Sequence, residues 1–304
     1  MMKSIKYLRN SEINFKKWDF CIKNSVNVKV YAFSWYLDIV ASNWDCIVYD
    51  DYKMVMPVVF KRQLGFFKKN YHPIFCQQLG PFSFSKELLR DENIIESIFQ
   101  TLIAQFSNYK ISINHVVYCN LIQSNYLQKN KVSFVERINL ELDLSMKYDQ
   151  LYKNFSSNTK RNLRPIPNSS IKRIVDVKYF ISLYKKYLND VINLNSSQYQ
   201  IMYKLIISCM HKNIGVLQGL FDNKNNLLGA IFVIHAFKRH ILLFNFSNTK
   251  YYRLSPMTHL INDYILTHAS KSEVLDFEGS SLLGVKRFYK GFGATEKNYI
   301  YINQ

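Results

Sequence analysis

Asp276 and Glu278 alternate with Leu275 and Phe277 in the stretch Val-Leu-Asp-Phe-Glu-Gly at residues 274–279. Successive side chains of a strand point to opposite faces, so the sequence predicts both carboxylates on one side and the apolar pair on the other. A partly desolvated carboxylate can act as a general base or orient a cationic group such as an ammonium. Pairing with a nearby Lys or Arg is the competing role for each. Gly279 lets backbone come close to a ligand, and Ser280 and Ser281 offer hydroxyl and amide donors to an anion. Lys286, Arg287 and Lys290 bring positive charge suited to phosphate, with Tyr289 among them, while Phe288 and Phe292 are expected to anchor the segment in the core.

Further groups stand at spacings that could join them. Lys160 and Arg164 are four apart with Arg161 between, which on a helix over residues 159–164 gives either a cationic binding face or a solvated one. Pro165 and Pro167 must end that helix. Asn245 and Ser247 alternate with Phe244 and Phe246, so their polar side is free to face a pocket. In the first half, Tyr31 and Trp35 either line a pocket or pack the core. Gln77 or Gln78 puts an amide inside an apolar strand, where an unpaired group costs about 1–3 kcal/mol. His235, inside an apolar run, is expected to be a core histidine with its polar atoms satisfied. No His pair at metal spacing, nucleophile motif or P-loop is present, so the expectation is no metal site and direct transfer with backbone oxyanion stabilisation.

Hydrophobic periodicity and turn residues supply the elements that must hold these groups. The first half reads as a strand at 3–8 and helices at 12–24 and 35–42, the latter capped by Ser34 with Trp35 and Ile39 inward and Leu37 and Val40 as further inward candidates. A hairpin at 44–60 turning on Asp50 and Asp51, a strand at 74–82, a helix at 86–106 and strands at 111–119 and 132–144 follow. The second half reads as short helices at 148–154 and 159–164, a strand at 171–175 and helices at 177–192 and 198–212. A three-strand meander over 215–247 with turns at Asp222–Asn226 and Lys238-Arg239, a helix at 256–268 and strands at 274–277 and 295–302 complete it. Mixed hairpins and crossovers, twice over, predict an α+β protein of two tandem domains rather than a doubly wound sheet. The boundary is expected at 143–147, giving domains 1–145 and 146–304, with the last strand able to pack back on the first domain.

Composition bounds the function. Hydrophobic residues at 48% and aromatic residues at 15% exclude an intrinsically disordered chain. The longest apolar run, 227–237, falls short of the roughly 18–20 residues that span a bilayer, so no transmembrane segment is expected. The amino terminus lacks the apolar stretch of a secretory signal, so a cytoplasmic location is expected. Five cysteines without a C-x-x-C pair are read as reduced residues. Forty Lys and Arg against 22 Asp and Glu give +18, which points to a polyanionic partner such as nucleic acid, a phosphorylated substrate or an anionic membrane surface. Codon bias of an AT-rich genome is the competing account of the lysines.

The order helix, helix, antiparallel strands, helix, strand, helix, strand is similar to the GNAT acyltransferase fold. Leu275-Asp-Phe-Glu-Gly-Ser280 followed by Phe288-Tyr-Lys-Gly-Phe-Gly293 resembles the Asp-Phe-x-Gly and Phe-Lys-x-x-Phe-Gly segments of Fem-type (FemAB-like) peptidoglycan aminoacyltransferases. Residues 157–164 resemble the basic helix that opens that family's second domain, and residues 31–44 and 77–81 resemble its uncharacterised bacterial branch. The resemblance implies two tandem GNAT-like (acyl-CoA N-acyltransferase-type) domains with mixed sheets. It implies transfer of an acyl or aminoacyl group, from aminoacyl-tRNA or acyl-CoA, to an amine on a phosphate-bearing or cell-envelope acceptor. Two departures stand: Tyr289 occupies the place of the family's lysine, with Lys290 one position later, and the acyl-CoA loop of simple GNAT enzymes is not recognisable. An acetyl-CoA-dependent N-acetyltransferase and a non-catalytic RNA- or phosphoglycan-binding module therefore stay open as alternatives.

Overall fold

The computed structural model describes residues 4–64, 67–123, 128, 132–279 and 282–303. The chain divides into two compact units, residues 1–138 with 298–304, and residues 139–297.

The first unit runs β1 (Ile5–Leu8), α1 (Phe15–Asn24), α2 (Ser34–Val40), β2 (Asn43–Tyr49), β3 (Met54–Gln63), β4 (Phe67–Asn70) and β5 (Phe82–Ser83). It continues through α3 (Lys86–Arg90), α4 (Glu92–Gln105), β6 (Lys110–Ile113), α5 (His115–Gln123) and β7 (Phe134–Arg137). Strands β1 to β4 form an antiparallel sheet in chain order, with β5 beside β3. The turn from β2 to β3 takes Asp50, Asp51 and Tyr52 through positive φ, a conformation that short acidic side chains tolerate. Ser34 is not the cap of α2. Phe33 holds that position, and the Ser34 amide and hydroxyl donate to the Asp19 carboxylate at 2.9 and 2.6 Å. The buried stripe is accordingly Tyr36, Leu37 and Val40, leaving Trp35 and Ile39 half-buried.

Three other expectations in this unit are corrected. Residues 74–81 are not a strand: Leu79 N–H donates to Ser112 O at 2.8 Å, and Pro81 O accepts from the Asn27 and Asn114 side chains, so side-chain and loop bonds replace a ladder. The expected strand at 111–119 stops at Ile113, because the Asn114 side chain accepts from Val117 N–H and starts α5. The helix expected over 86–106 is two helices, divided at Asp91, whose carboxylate accepts from the amides of Asn93 and Ile94.

The second unit runs β8 (Asn139–Asp143), α6 (Tyr148–Lys153), α7 (Ser157–Asn162), β9 (Ser170–Arg173), α8 (Val177–Ile192), α9 (Ser196–His211), β10 (Gly215–Phe221), β11 (Leu227–Ala236) and β12 (Arg239–Ser247). After these come α10 (Pro256–His268), β13 (Val274–Gly279), α11 (Leu283–Lys290) and β14 (Thr295–Glu296). Its seven-stranded sheet has the order β14-β8-β13-β12-β11-β10-β9, antiparallel except for the parallel pair β12 and β13. The stretch expected at 132–144 is therefore two strands in different sheets. β8 joins this one, and β15 (Tyr299–Asn303) lies between β6 and β7 in the first unit.

Helix α8 begins where Asp176 accepts from Tyr179 N–H and ends at Asn193 in the left-handed region. Val177, Phe180 and Tyr184 form its buried stripe, packed on Phe244 and Phe246 of β12. Helix α10 starts on Pro256 and buries Leu260, Ile261, Tyr264 and Ile265. Phe180, Phe232, Phe244, Phe246 and Phe292 are each fully buried, and each such side chain contributes about 1.5–3 kcal/mol.

Candidate active site

The parallel ladder between β12 and β13 runs from Arg239–Val274 to Ile241–Asp276 and stops there. Both strands continue, β12 to Ser247 along β11 and β13 to Gly279 along β8, so the sheet opens between them. Two irregularities accompany the opening. On β12, Leu243 is an extra residue between the partners of Val233 and Phe232. His240 and Phe244 are four apart and would share a face of an unbroken strand, yet His240 meets Tyr264 of α10 while Phe244 packs on Tyr184 of α8. On β13, the register with β8 breaks between Asp276 and Gly279, and Glu278 sits at φ 57°. A left-handed glutamate is strained by about 1 kcal/mol or more and persists only where its surroundings fix it. Here the Asp276 carboxylate accepts the Glu278 N–H at 2.9 Å.

This break corrects the expectation that Asp276 and Glu278 project together from a regular strand. Asp276 is fully buried, and its second oxygen lies 2.7 Å from Nη1 of Arg239, which also meets Glu141 at 2.6 Å. Burial alone would lower the Arg239 pKa, but Asp276 and Glu141 outweigh it and hold the guanidinium charged. Asp276 is thus the anchor of the turn that presents Glu278, and Glu278 is the half-buried carboxylate of the pair.

Tyr289 of α11 lies beside the opening. Its ring stacks on Phe277 at 4.6 Å and its hydroxyl accepts from Asn245 Nδ2 at 3.3 Å. Burial pushes the phenol up to about 12, with the Glu278 charge adding to the rise and the Asn245 bond opposing it. Tyr184 of α8 is pushed up by burial as well, then by the charges of Tyr199, Tyr289 and Glu278. Glu278, Tyr289, Asn245 and Tyr184 therefore form one electrostatic group: a carboxylate, an amide and two protonated phenols.

The remaining expected residues fall in other places. Lys286 and Lys290, one turn apart on α11, both reach Glu296 Oε1, at 2.9 and 2.5 Å, which draws the Glu296 pKa down. Arg287 is exposed on the same helix. Phe292 is fully buried, as its anchoring role requires, and Phe288 half-buried. Ser247, half-buried, ends β12, and Gly279 ends β13 opposite Asn139; Ser280 and Ser281 lie outside the described residues. Helix α7 stops at Asn162, so Arg164 is off the helix and shares no helical face with Lys160. Lys160 donates to Lys153 O and Arg161 to Asn158. In the first unit Tyr31 is fully buried against Tyr36, whose ring also meets Trp35 edge-on. Gln77 accepts from Gln78 Nε2, and Gln78 Oε1 accepts from His115 N–H, so the buried amides help satisfy each other. None of these three lines the polar cavity of about 670 Å³ in that unit, formed around Arg9, Asp38, Trp44, Asp45, Arg62 and Lys68.

Sequence reasoning missed Arg239, Glu141 and Tyr184. Arg239 read as a turn residue, although the turn is Phe237-Lys238 and Arg239 opens β12. The signal for Tyr184 was its place seven residues after Val177 on an amphipathic stripe.

No family model and no curated protein matches the sequence. Solved structures do match the fold. The structure of FemX aligns with a TM-score of 0.67 at 11% identity over 99% of this chain and 97% of that one. A tandem GNAT protein from the clavulanic acid biosynthesis pathway aligns with a TM-score of 0.58 at 8% identity, covering 99% and 98%. A conserved protein of unknown function from Bacteroides thetaiotaomicron aligns with a TM-score of 0.58 at 10% identity, covering 99% and 100%. Among the described residues no helix is long and apolar enough to cross a membrane. The chain thus has the mixed α+β tandem GNAT fold that FemX shares.

Proposed function

We propose that the second unit transfers an acyl or aminoacyl group to an amine at the opening between β12 and β13. The observation that carries this reading is the parallel pair that parts after Ile241 and Asp276, with Glu278, Tyr289 and Asn245 gathered around the gap. Backbone of β12 beyond Ile241 no longer ladders with β13, which suits it to an extended acyl donor and to the oxyanion of the tetrahedral intermediate. Glu278 takes the proton of the acceptor ammonium or orients the amine. The amine nitrogen then bonds to the acyl carbon, and the carbon–sulfur or carbon–oxygen bond to the donor breaks. Tyr289, kept protonated by burial, gives its proton to the leaving thiolate or alkoxide and recovers one from the nitrogen as the amide forms. Asn245 donates to the Tyr289 oxygen, which leaves the phenolic proton to point at the leaving group.

The charge of +18 supports a polyanionic donor or acceptor, such as aminoacyl-tRNA or a phosphate-bearing cell-envelope precursor. Thermal-shift titrations with CoA, aminoacyl-tRNA and nucleotide-linked peptidoglycan precursors, followed by transfer assays with whichever donor binds, test the reading. A donor that stabilises the protein and yields an N-acylated product supports it. Steeply salt-dependent RNA binding with no product from any donor would replace it with a non-catalytic binding module.

A further inference from the structure

At the opposite end of the β12–β13 ladder the fold brings together three groups that no spacing in the sequence connects. The β11–β12 hairpin closes through Phe237 and Lys238, both at positive φ, the two-residue turn whose twist matches paired strands. That register sets His235 directly opposite His240, with ring centroids 3.8 Å apart and planes at 15°. Glu273 reaches the pair from the residue before β13, with Oε1 3.4 Å from His235 Nε2 and Oε2 2.7 Å from His240 Nε2. One ligand atom from each of the three lies within 4.8 Å of the others.

We propose that His235, His240 and Glu273 form a binding site for a divalent transition cation, with zinc the best match to two imidazoles and a carboxylate. Around tetrahedral zinc, nitrogen and oxygen ligands stand about 3.3 Å apart at bond lengths near 2.0–2.2 Å. Glu273 presents a separate oxygen to each imidazole, 3.4 Å from His235 Nε2 and 2.7 Å from His240 Nε2, so turning one oxygen between the rings places all three ligands around a cation. Access is provided by His235, whose side chain is 37% exposed, while His240 is fully enclosed. The second shell is also present: His240 Nδ1 is 2.9 Å from the hydroxyl of Tyr264. Because a phenol can give or accept, Tyr264 supports the tautomer in which Nε2 binds the metal and Nδ1 carries the proton. Bound metal would tie the β11–β12 hairpin to the start of β13, the strand whose far end presents Glu278.

The test is calorimetric titration of chelator-treated full-length protein with ZnCl2, paired with absorption spectra of the Co2+ form. The expected result is one equivalent bound, a rise in the thermal midpoint, and d–d bands of a nitrogen–oxygen site. His235→Ala, at the half-exposed ligand, is expected to fold and to lose at least tenfold in affinity, and Glu273→Gln to do the same. Absence of stoichiometric binding to the wild type, or wild-type affinity retained in both variants, overturns the proposal. So does a thiolate-to-cobalt charge-transfer band, which would move the metal to one of the free cysteines.

Discussion

Replacing Arg239 with alanine strands two carboxylates inside the second unit. Asp276 has no exposed side-chain surface and Glu141 is 14% exposed, and both lean on one guanidinium nitrogen at 2.7 and 2.6 Å. Removing the cation from a buried pair costs about 3–5 kcal/mol, because the remaining charge stays desolvated. The exposed pair Lys17–Asp51, at 49% and 71% exposure, supplies the control, and Lys17→Ala should cost about 1 kcal/mol or less. The three tryptophans, Trp18, Trp35 and Trp44, all lie in the first unit, so their fluorescence does not report on this change. Hydrogen exchange read by mass spectrometry over peptides covering residues 239–247 and 274–279 does. A loss of 3 kcal/mol corresponds to roughly a hundredfold or greater loss of protection. The penalty should also shrink as the pH falls towards 5, because a stranded carboxylate takes up a proton above its ordinary pKa. Protection in Arg239→Ala no worse than in Lys17→Ala would refute the view that this network anchors the Glu278 turn.

Tyr289→Phe should keep the stacking on Phe277 and so the fold, while transfer falls about 10²-fold, as loss of a general acid entails; unchanged turnover with unchanged melting removes Tyr289 from the chemistry. Stability should fall with acidity below neutral pH. His240 titrates near 4 in the folded chain and about 6.5 when unfolded, so the unfolded state takes the proton first, and about 2 kcal/mol is lost between pH 7 and 5. His72, drawn down to about 4 by burial, acts in the same direction in the first unit. Urea denaturation of chelator-treated protein at the two pH values measures this, and equal midpoints contradict it. Asp176→Ala, which removes the acceptor for Tyr179 N–H, should destabilise α8 by about 1 kcal/mol in circular-dichroism melts.

Periodicity carried much of the second unit, because α8 and α10 each bury a regular stripe and β11 is a continuous apolar run buried from Leu227 to Ile234. It failed where one bond decides. Asn114 turns a β-branched run into the start of a helix, and Asp91 divides a helix whose apolar side reads as continuous. Glu278 carries the same lesson into the site: two residues after Asp276 it should share that residue's face, but positive φ and the bond to the Asp276 carboxylate re-aim it. The lysines of α11 were legible as charges, yet their shared partner Glu296 lies on β14, out of reach of local reasoning. Arg239 and Glu141 are 98 residues apart, and only the strand order brings them together.

Single-turnover transfer tests the role of Glu278 most directly. Wild-type protein and Glu278→Gln would be mixed with the same labelled donor, aminoacyl-tRNA or acyl-CoA, and a phosphate-bearing amine acceptor, with donor affinity and melting temperature measured in parallel. The expected result is a labelled amide from the wild type, transfer slower by about 10² or more in Glu278→Gln, and unchanged donor binding and folding. Equal rates from the two proteins would contradict it.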